Sequence, residues 1–237
     1  METSGKSKMI KAVFFDWFYT IARPDPERHE IYCQVLPEFG IEPSAEKLIR
    51  GLYDAENQVP KGSPYKWSES EEVEPYIRYL DIVLSEVGVK LSRDTVLEVL
   101  KKVSPIARKV TYVLYDDVIP TLKTLKGQGL VLGLITSIGK EVNLVCSELG
   151  LDPYLNFVVS AKEVGADKPQ PPIFMAALER AGVSASQAVY VGDQYEADVV
   201  GARGVGIKPI LIDRWDLLTE VNDCARIHTL SEALEHI

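Results

Sequence analysis

The sequence predicts an α/β protein: a doubly wound parallel sheet that is interrupted, after its first strand, by an all-helical insert. Three observations predict it. Ile10 to Phe15 is a short apolar run broken only by Lys11, rich in β-branched and aromatic residues and followed at once by Asp16, the pattern of a buried strand. Residues 26 to 110 carry helical spacing with almost no strand signal, and from Asp116 onward helices and strands alternate. Such alternation means parallel strands with helices on both faces, so the first strand belongs with the second half of the chain.

In chain order, Pro24-Asp25-Pro26 marks the change of character, and helices are expected over 26–39, 44–58, 69–87 and 92–110, with Gly40, Gly62 and Gly88 as punctuation. The second half reads as helix 116–126, strand 130–136, helix 140–149, strand 156–160, helix 171–182, strand 188–192, helix 196–204 and strand 207–212. The expected division is a core of residues 1–21 and 113–237 and a helical insert of residues 22–112. Its two crossings, near 21–25 and 111–116, read as a hinge.

A chain of 237 residues, 46% hydrophobic and 26% charged, has enough apolar material for one good core and a smaller second one. A formal charge of -9 without any Lys/Arg run speaks against a nucleic-acid partner. Cys33, Cys146 and Cys224 are odd in number and far apart, which suggests neither a disulfide frame nor a zinc site and fits a reducing cytoplasm. The longest later apolar run, Leu130 to Ile135, is much too short to span a bilayer, and Met1 to Met9 lacks the apolar core of an export signal. Gly5-Lys6-Ser7 has neither the strand nor the upstream glycine of a P-loop and reads as part of a flexible leader. A soluble monomer or homodimer acting on a small molecule is expected, with no membrane partner.

In an open parallel sheet, reactive groups collect beyond the carboxyl ends of the strands. The first strand ends in Phe14-Phe15-Asp16-Trp17-Phe18-Tyr19-Thr20, the second in Leu134-Ile135-Thr136-Ser137, and the fourth in Val191-Gly192-Asp193-Gln194-Tyr195-Glu196-Ala197-Asp198. Between the last two lies Gly165-Ala166-Asp167-Lys168-Pro169. Each piece alone has an ordinary reading: Asp16 as a turn residue, Thr136 and Ser137 as helix caps, Lys168 as a loop charge, Gly192-Asp193 as a turn. Taken together and in this order, the set resembles the four motifs of the haloacid dehalogenase superfamily, mostly phosphatases. The helical insert resembles the cap of the subclass in which the cap follows the first motif.

The resemblance implies a nucleophilic Asp16 that forms an aspartyl-phosphate later hydrolysed by water. It implies magnesium held by Asp16, the backbone carbonyl of Phe18, Asp193 and Asp198. Thr136 and the backbone N–H groups near Ser137 would hold the phosphoryl oxygens, Lys168 would neutralise charge shared with Asp16, and Thr20 would order the loop by hydrogen bonding. Two positions depart from the pattern: Tyr19 replaces the small residue usual before the Thr, which alters the turn, and the acid/base position is changed. Most phosphatases of the superfamily carry an acid/base Asp two residues after the nucleophile, and Phe18 stands there. An acid/base is typically worth about 10²- to 10⁴-fold in rate.

Three readings follow: a phosphatase suited to leaving groups that need no proton, with Tyr19 or the cap as another source of the acid; a 2-haloacid dehalogenase, or a phosphonatase-like enzyme using Lys47, Lys61 or Lys66; and a ligand-binding member with little turnover. Gly192-Asp193 and Asp198 favour the metal-dependent phosphatase, because metal-free dehalogenation has no use for them. No Gly-x-Ser-x-Gly elbow supports a serine hydrolase.

Overall fold

A computed structural model describes residues 9–59, 72–137 and 142–237. The leader, Gly62, Lys61 and Lys66 lie outside these residues, as does most of the acidic run Glu69 to Glu72. The chain divides into two compact units, one formed by Met1–Arg23 with Tyr112–Ile237 and the other by Pro24–Thr111.

The first unit is built on six parallel strands. They are β1 (Ala12–Phe15), β4 (Val131–Thr136), β5 (Phe157–Ser160), β6 (Ala188–Gly192), β7 (Lys208–Ile212) and β8 (Ala225–Ile227), in the order β5-β4-β1-β6-β7-β8. The chain steps outward from β1 to β4 and β5, then returns to pair β6 with the other side of β1. The strand order therefore reverses between β1 and β6, the switch point at which open α/β sheets bind ligands.

Strand alternation splits the core into two layers. Val13, Phe15, Leu132, Leu134, Val189 and Val191 face one way, against Val118, Leu122 and Leu125 of α5 (Val118–Gly127) and Val142 and Cys146 of α6 (Val142–Glu148). Ala12, Phe14, Ile135 and Tyr190 face the other, against Ile173, Phe174 and Ala177 of α8 (Pro171–Ala181). A short helix, α7 (Ala161–Val164), follows β5. A π-helical turn over Tyr195–Val200 and α9 (Gly201–Gly204) follow β6.

The second unit has its own core, with Leu48, Leu52, Leu80, Val83, Val99 and Leu100 buried together. Its helices are α1 (Arg28–Val35), α2 (Ala45–Gln58), α3 (Glu74–Val87) and α4 (Arg93–Ala107). The helix expected over 26–39 is split, because Pro37 leads a 3-10 turn, Leu36–Phe39, that ends at Gly40 with φ 73°. Glu56 accepts from Arg28 and from Tyr79, which supplies a polar tie inside the bundle.

Three short strands were not predicted: β8 at the edge of the main sheet, and two more. β2 (Ala22–Asp25) and β3 (Thr111–Leu114) pair in a separate two-stranded sheet at the points where the chain passes between the units. Pro24 inside β2 is the reason this segment reads as a break, since proline is confined to edges and ends of sheets.

Gly51 of α2 has no room for a side chain: a Cβ there would lie 2.5 Å from the backbone oxygen of Val83 in α3. Gly51→Ala must push these helices apart and is expected to cost about 1–3 kcal/mol, measured as a lower urea midpoint.

Candidate active site

Alternation along β1 and β6 explains why the site faces the α8 side of the sheet. Phe14 pairs in register with Tyr190, and both pack in the α8 layer. Asp16, two residues beyond Phe14, continues that face, and its N–H extends the ladder to the Val191 carbonyl at 2.9 Å. Lys168, just ahead of α8, enters from the same side. Its Nζ donates to Asp16 Oδ1 at 2.5 Å and to Asp198 Oδ1 at 2.6 Å, and lies 3.2 Å from the Tyr190 hydroxyl. Tyr190 in turn donates to Asp198 Oδ1 at 2.8 Å.

Gly192 makes this arrangement possible. A Cβ at that position would lie 2.3 Å from Cγ of Asp198, so any other residue would displace the carboxylate. The π-helical turn brings Asp198 back under the strand end, where its Oδ2 accepts from the Gln194 N–H at 3.0 Å. Gly201 serves α9 in a similar way, since a Cβ there would meet the Phe174 ring at 2.8 Å.

Asp16, Asp193 and Asp198 offer carboxylate oxygens that all lie within 4.8 Å of one another. Burial raises the Asp16 carboxyl to about 6; Lys168 pulls it down and Asp198 pushes it up. Asp193 is raised well above the ordinary carboxylate value, by burial first and then by the charges of Asp16 and Asp198. For Lys168 burial opposes the charge, but the two carboxylates outweigh it and hold the ammonium above the ordinary lysine value. One ammonium among three carboxylates leaves an excess of negative charge in a buried place. An all-oxygen donor set of this kind suits a hard divalent cation.

Thr136 is buried at the end of β4. Ser137 follows it, and its hydroxyl donates to Asp167 Oδ1 at 2.6 Å, so the side chain is engaged by the loop that carries Lys168. The same oxygen accepts from the Lys168 N–H at 2.8 Å. The Phe18 ring packs against Tyr112 and Tyr19, with centroids 5.6 and 6.4 Å apart. Thr20 does not order the loop as expected. Its hydroxyl is buried without a hydrogen-bond partner among the described residues, and the turn is closed instead by backbone bonds from Tyr19 to Ala22 and from Ile21 and Ala22 to Trp17.

Two contributors escaped the sequence reading: Asp167 and Tyr190. Both carried a usable signal, since one adjoins Lys168 and the other stands two residues before Gly192 on the same strand face.

The profile of the haloacid dehalogenase-like hydrolase family matches residues 30–212 of the chain. The chain belongs to that family of hydrolases, and the parallel sheet with its helices is the family's core. A glyceraldehyde 3-phosphate phosphatase of Methanopyrus kandleri is 31% identical over 215 residues, 87% of this chain and 85% of the relative. Among solved structures, a HAD phosphatase from Thermococcus onnurineus is 28% identical with a TM-score of 0.57, covering 96% of this chain and 97% of that one. A 2-haloacid dehalogenase from Pseudomonas syringae is 27% identical with a TM-score of 0.55 and the same coverage.

The raised carboxyls set the sign of a stability test. Without a cation, ionising Asp16 costs stability as pH rises from 3.8 to about 6, and the penalty is fully present at pH 7.5. Asp193→Asn removes one of the mutually repelling charges. At pH 7.5 in chelator it is expected to raise stability. Added magnesium is expected to raise the wild-type melting temperature at pH 8 and less at pH 5, and Asp193→Asn to abolish that rise. Differential scanning fluorimetry measures both.

Proposed function

We propose that this protein is a magnesium-dependent phosphatase of small phosphorylated metabolites in the cytoplasm, working through an aspartyl-phosphate on Asp16. The observation that carries the reading is the cluster of buried Asp16 and Asp198, paired with Lys168, and half-buried Asp193 beside them. Displacement of halide from carbon has no use for such a cluster, whereas attack on a dianionic phosphate does. The names of the relatives from Methanopyrus kandleri and Thermococcus onnurineus support the same class.

In this reading an Asp16 oxygen attacks phosphorus, the bond to the leaving oxygen breaks, and the leaving group departs with the electron pair. Water then displaces Asp16 and releases phosphate. Asp16, the Phe18 carbonyl, Asp193 and Asp198 would hold magnesium, which supplies positive charge between the carboxylate and the phosphate. Asp198 already accepts from Lys168, Tyr190 and Gln194, which favours contact with the cation through water. The Lys168 ammonium offsets charge on the attacking carboxylate and on the phosphoryl oxygens. Thr136 and the N–H groups beside Ser137 bind those oxygens, and the bond from Ser137 to Asp167 fixes their loop.

Phe18 offers no proton to the leaving group, so acyl and aryl phosphates, which depart unaided, are the favoured substrates. A second reading, 2-haloacid dehalogenation, is favoured by Phe18 and by the Pseudomonas syringae relative. A phosphonatase-like route lacks support: Lys47 lies exposed on α2.

Asp16→Asn is expected to lower phosphatase turnover by roughly 10⁴-fold or more with an unchanged circular-dichroism spectrum; retained activity would remove the covalent route. Chelator should stop wild-type turnover and magnesium restore it, on a panel of phosphate esters and 2-haloacids. Halide release that persists in chelator would install the dehalogenase reading, and binding without turnover of either class the ligand-binding one. Phe18→Asp is expected to raise turnover of alkyl phosphates by about tenfold or more while aryl phosphates change little. An equal gain on both would show that proton donation is not the missing element.

A further inference from the structure

The segment that follows Asp16 is held from outside by one arginine beyond β7. Arg214 donates from Nε to the Tyr19 carbonyl at 3.1 Å and from Nη2 to the Thr20 carbonyl at 2.7 Å. The same guanidinium grips both oxygens of Asp117, ahead of α5, at 3.0 and 3.2 Å. Asp117 is itself fixed by the Leu230 N–H at 2.6 Å. Arg214 is nearly buried and lies 3.7 Å from the centroid of the Tyr115 ring. Next to it, Trp215 meets the Tyr19 ring edge to face at 4.7 Å.

Tyr19 has φ 53°, in the left-handed region that a bulky side chain rarely enters. Such a conformation persists where the surroundings over-determine it. Here the surroundings are the carbonyl clamp on one side of the residue and the indole on the other. The strained residue stands three positions after the nucleophile and next to Phe18, so the clamp sets the path of the backbone that carries both.

We infer that Arg214 is a positioning residue: its fork on the Tyr19 and Thr20 carbonyls, backed by Asp117, holds the 17–20 segment so that Asp16 and the Phe18 backbone stay at their stations. A lysine cannot replace it. The planar guanidinium reaches two carbonyls and a carboxylate at once, and an ammonium on a flexible stem offers no such fork. The inference rests on the phosphatase reading for its effect on turnover, but not for its effect on the loop.

The test compares wild type with Arg214→Lys and the milder Asp117→Asn, which keeps an acceptor for Leu230 but offers the guanidinium only one oxygen. Hydrogen exchange reads the loop, and aryl phosphate hydrolysis with magnesium reads the chemistry. Arg214→Lys should speed exchange of the Tyr19, Ile21 and Ala22 amides by about tenfold or more while β1 keeps its protection. Turnover should fall by about 10- to 100-fold with KM within about twofold, and Asp117→Asn should move both readouts less in the same direction. A purely structural arginine would instead raise exchange across the whole sheet and leave turnover per folded molecule intact. Unchanged exchange at Tyr19 to Ala22 overturns the inference, as does faster exchange with turnover intact. If the wild-type protein hydrolyses no phosphate ester, the functional reading fails separately and the exchange data alone decide the clamp.

Discussion

The ammonium of Lys168, buried between Asp16 and Asp198 at 2.5 and 2.6 Å, is the contact on which the rest of the site is arranged. A buried carboxylate is tolerated only when it is paired and hydrogen-bonded, and one ammonium pairs two of the three present. Everything near it protects that pairing. Gly192 leaves the space that Asp198 occupies, Tyr190 and the Gln194 N–H occupy its remaining lone pairs, and Asp167 fixes the backbone of Lys168. The third carboxylate, Asp193, is only partly offset by the charge of Lys168, which burial and the other two carboxylates outweigh. The cluster is thus balanced for attraction of a divalent ion, at a cost in stability when none is bound.

Much of the fold was legible because buried parallel strands announce themselves as short apolar runs, and β1, β4, β5, β6 and β7 are of that kind. The positions of Asp16, Thr136, Lys168, Asp193 and Asp198 were legible for a related reason: strand ends and the loop before α8 are where a doubly wound sheet exposes polar groups. What was not legible lacks such a local mark. β2 carries a proline, β3 follows a helix closely, and β8 is three residues with an arginine at its centre. The start of the helix expected over 196–204 is π-helical, Tyr195–Val200, and no spacing rule distinguishes that from an α-helix.

Arg214 shows a different kind of blindness. It follows β7, so the rule that selected Asp16 applied to it equally well, yet no local pattern ties an arginine there to a loop 194 residues earlier in the chain. Thr20 errs in the opposite direction. It stands where a capping hydroxyl is plausible, but its side chain is buried with no hydrogen-bond partner among the described residues. Local sequence reports which groups are available near a strand end; which of them meet depends on register and on segments that close over the end from far away.

These two halves of the site separate the parts of the chemistry. The groups proposed as nucleophile and phosphate ligands sit on strand ends and on the loop before α8, and are fixed by the sheet's register. Phe18, which the proposed mechanism sets beside the leaving group, sits on the 17–20 segment, which Arg214 and Trp215 hold from outside. In the proposed mechanism an aromatic residue at position 18 would change what departs without disturbing what attacks. Its ring takes its support from Tyr112 and Tyr19, neither of which belongs to the carboxylate cluster. A fold arranged in this way permits position 18 to vary while Asp16, Lys168 and Asp193 keep their setting, and in the proposed phosphatase such a site would select its substrates by the stability of the leaving group.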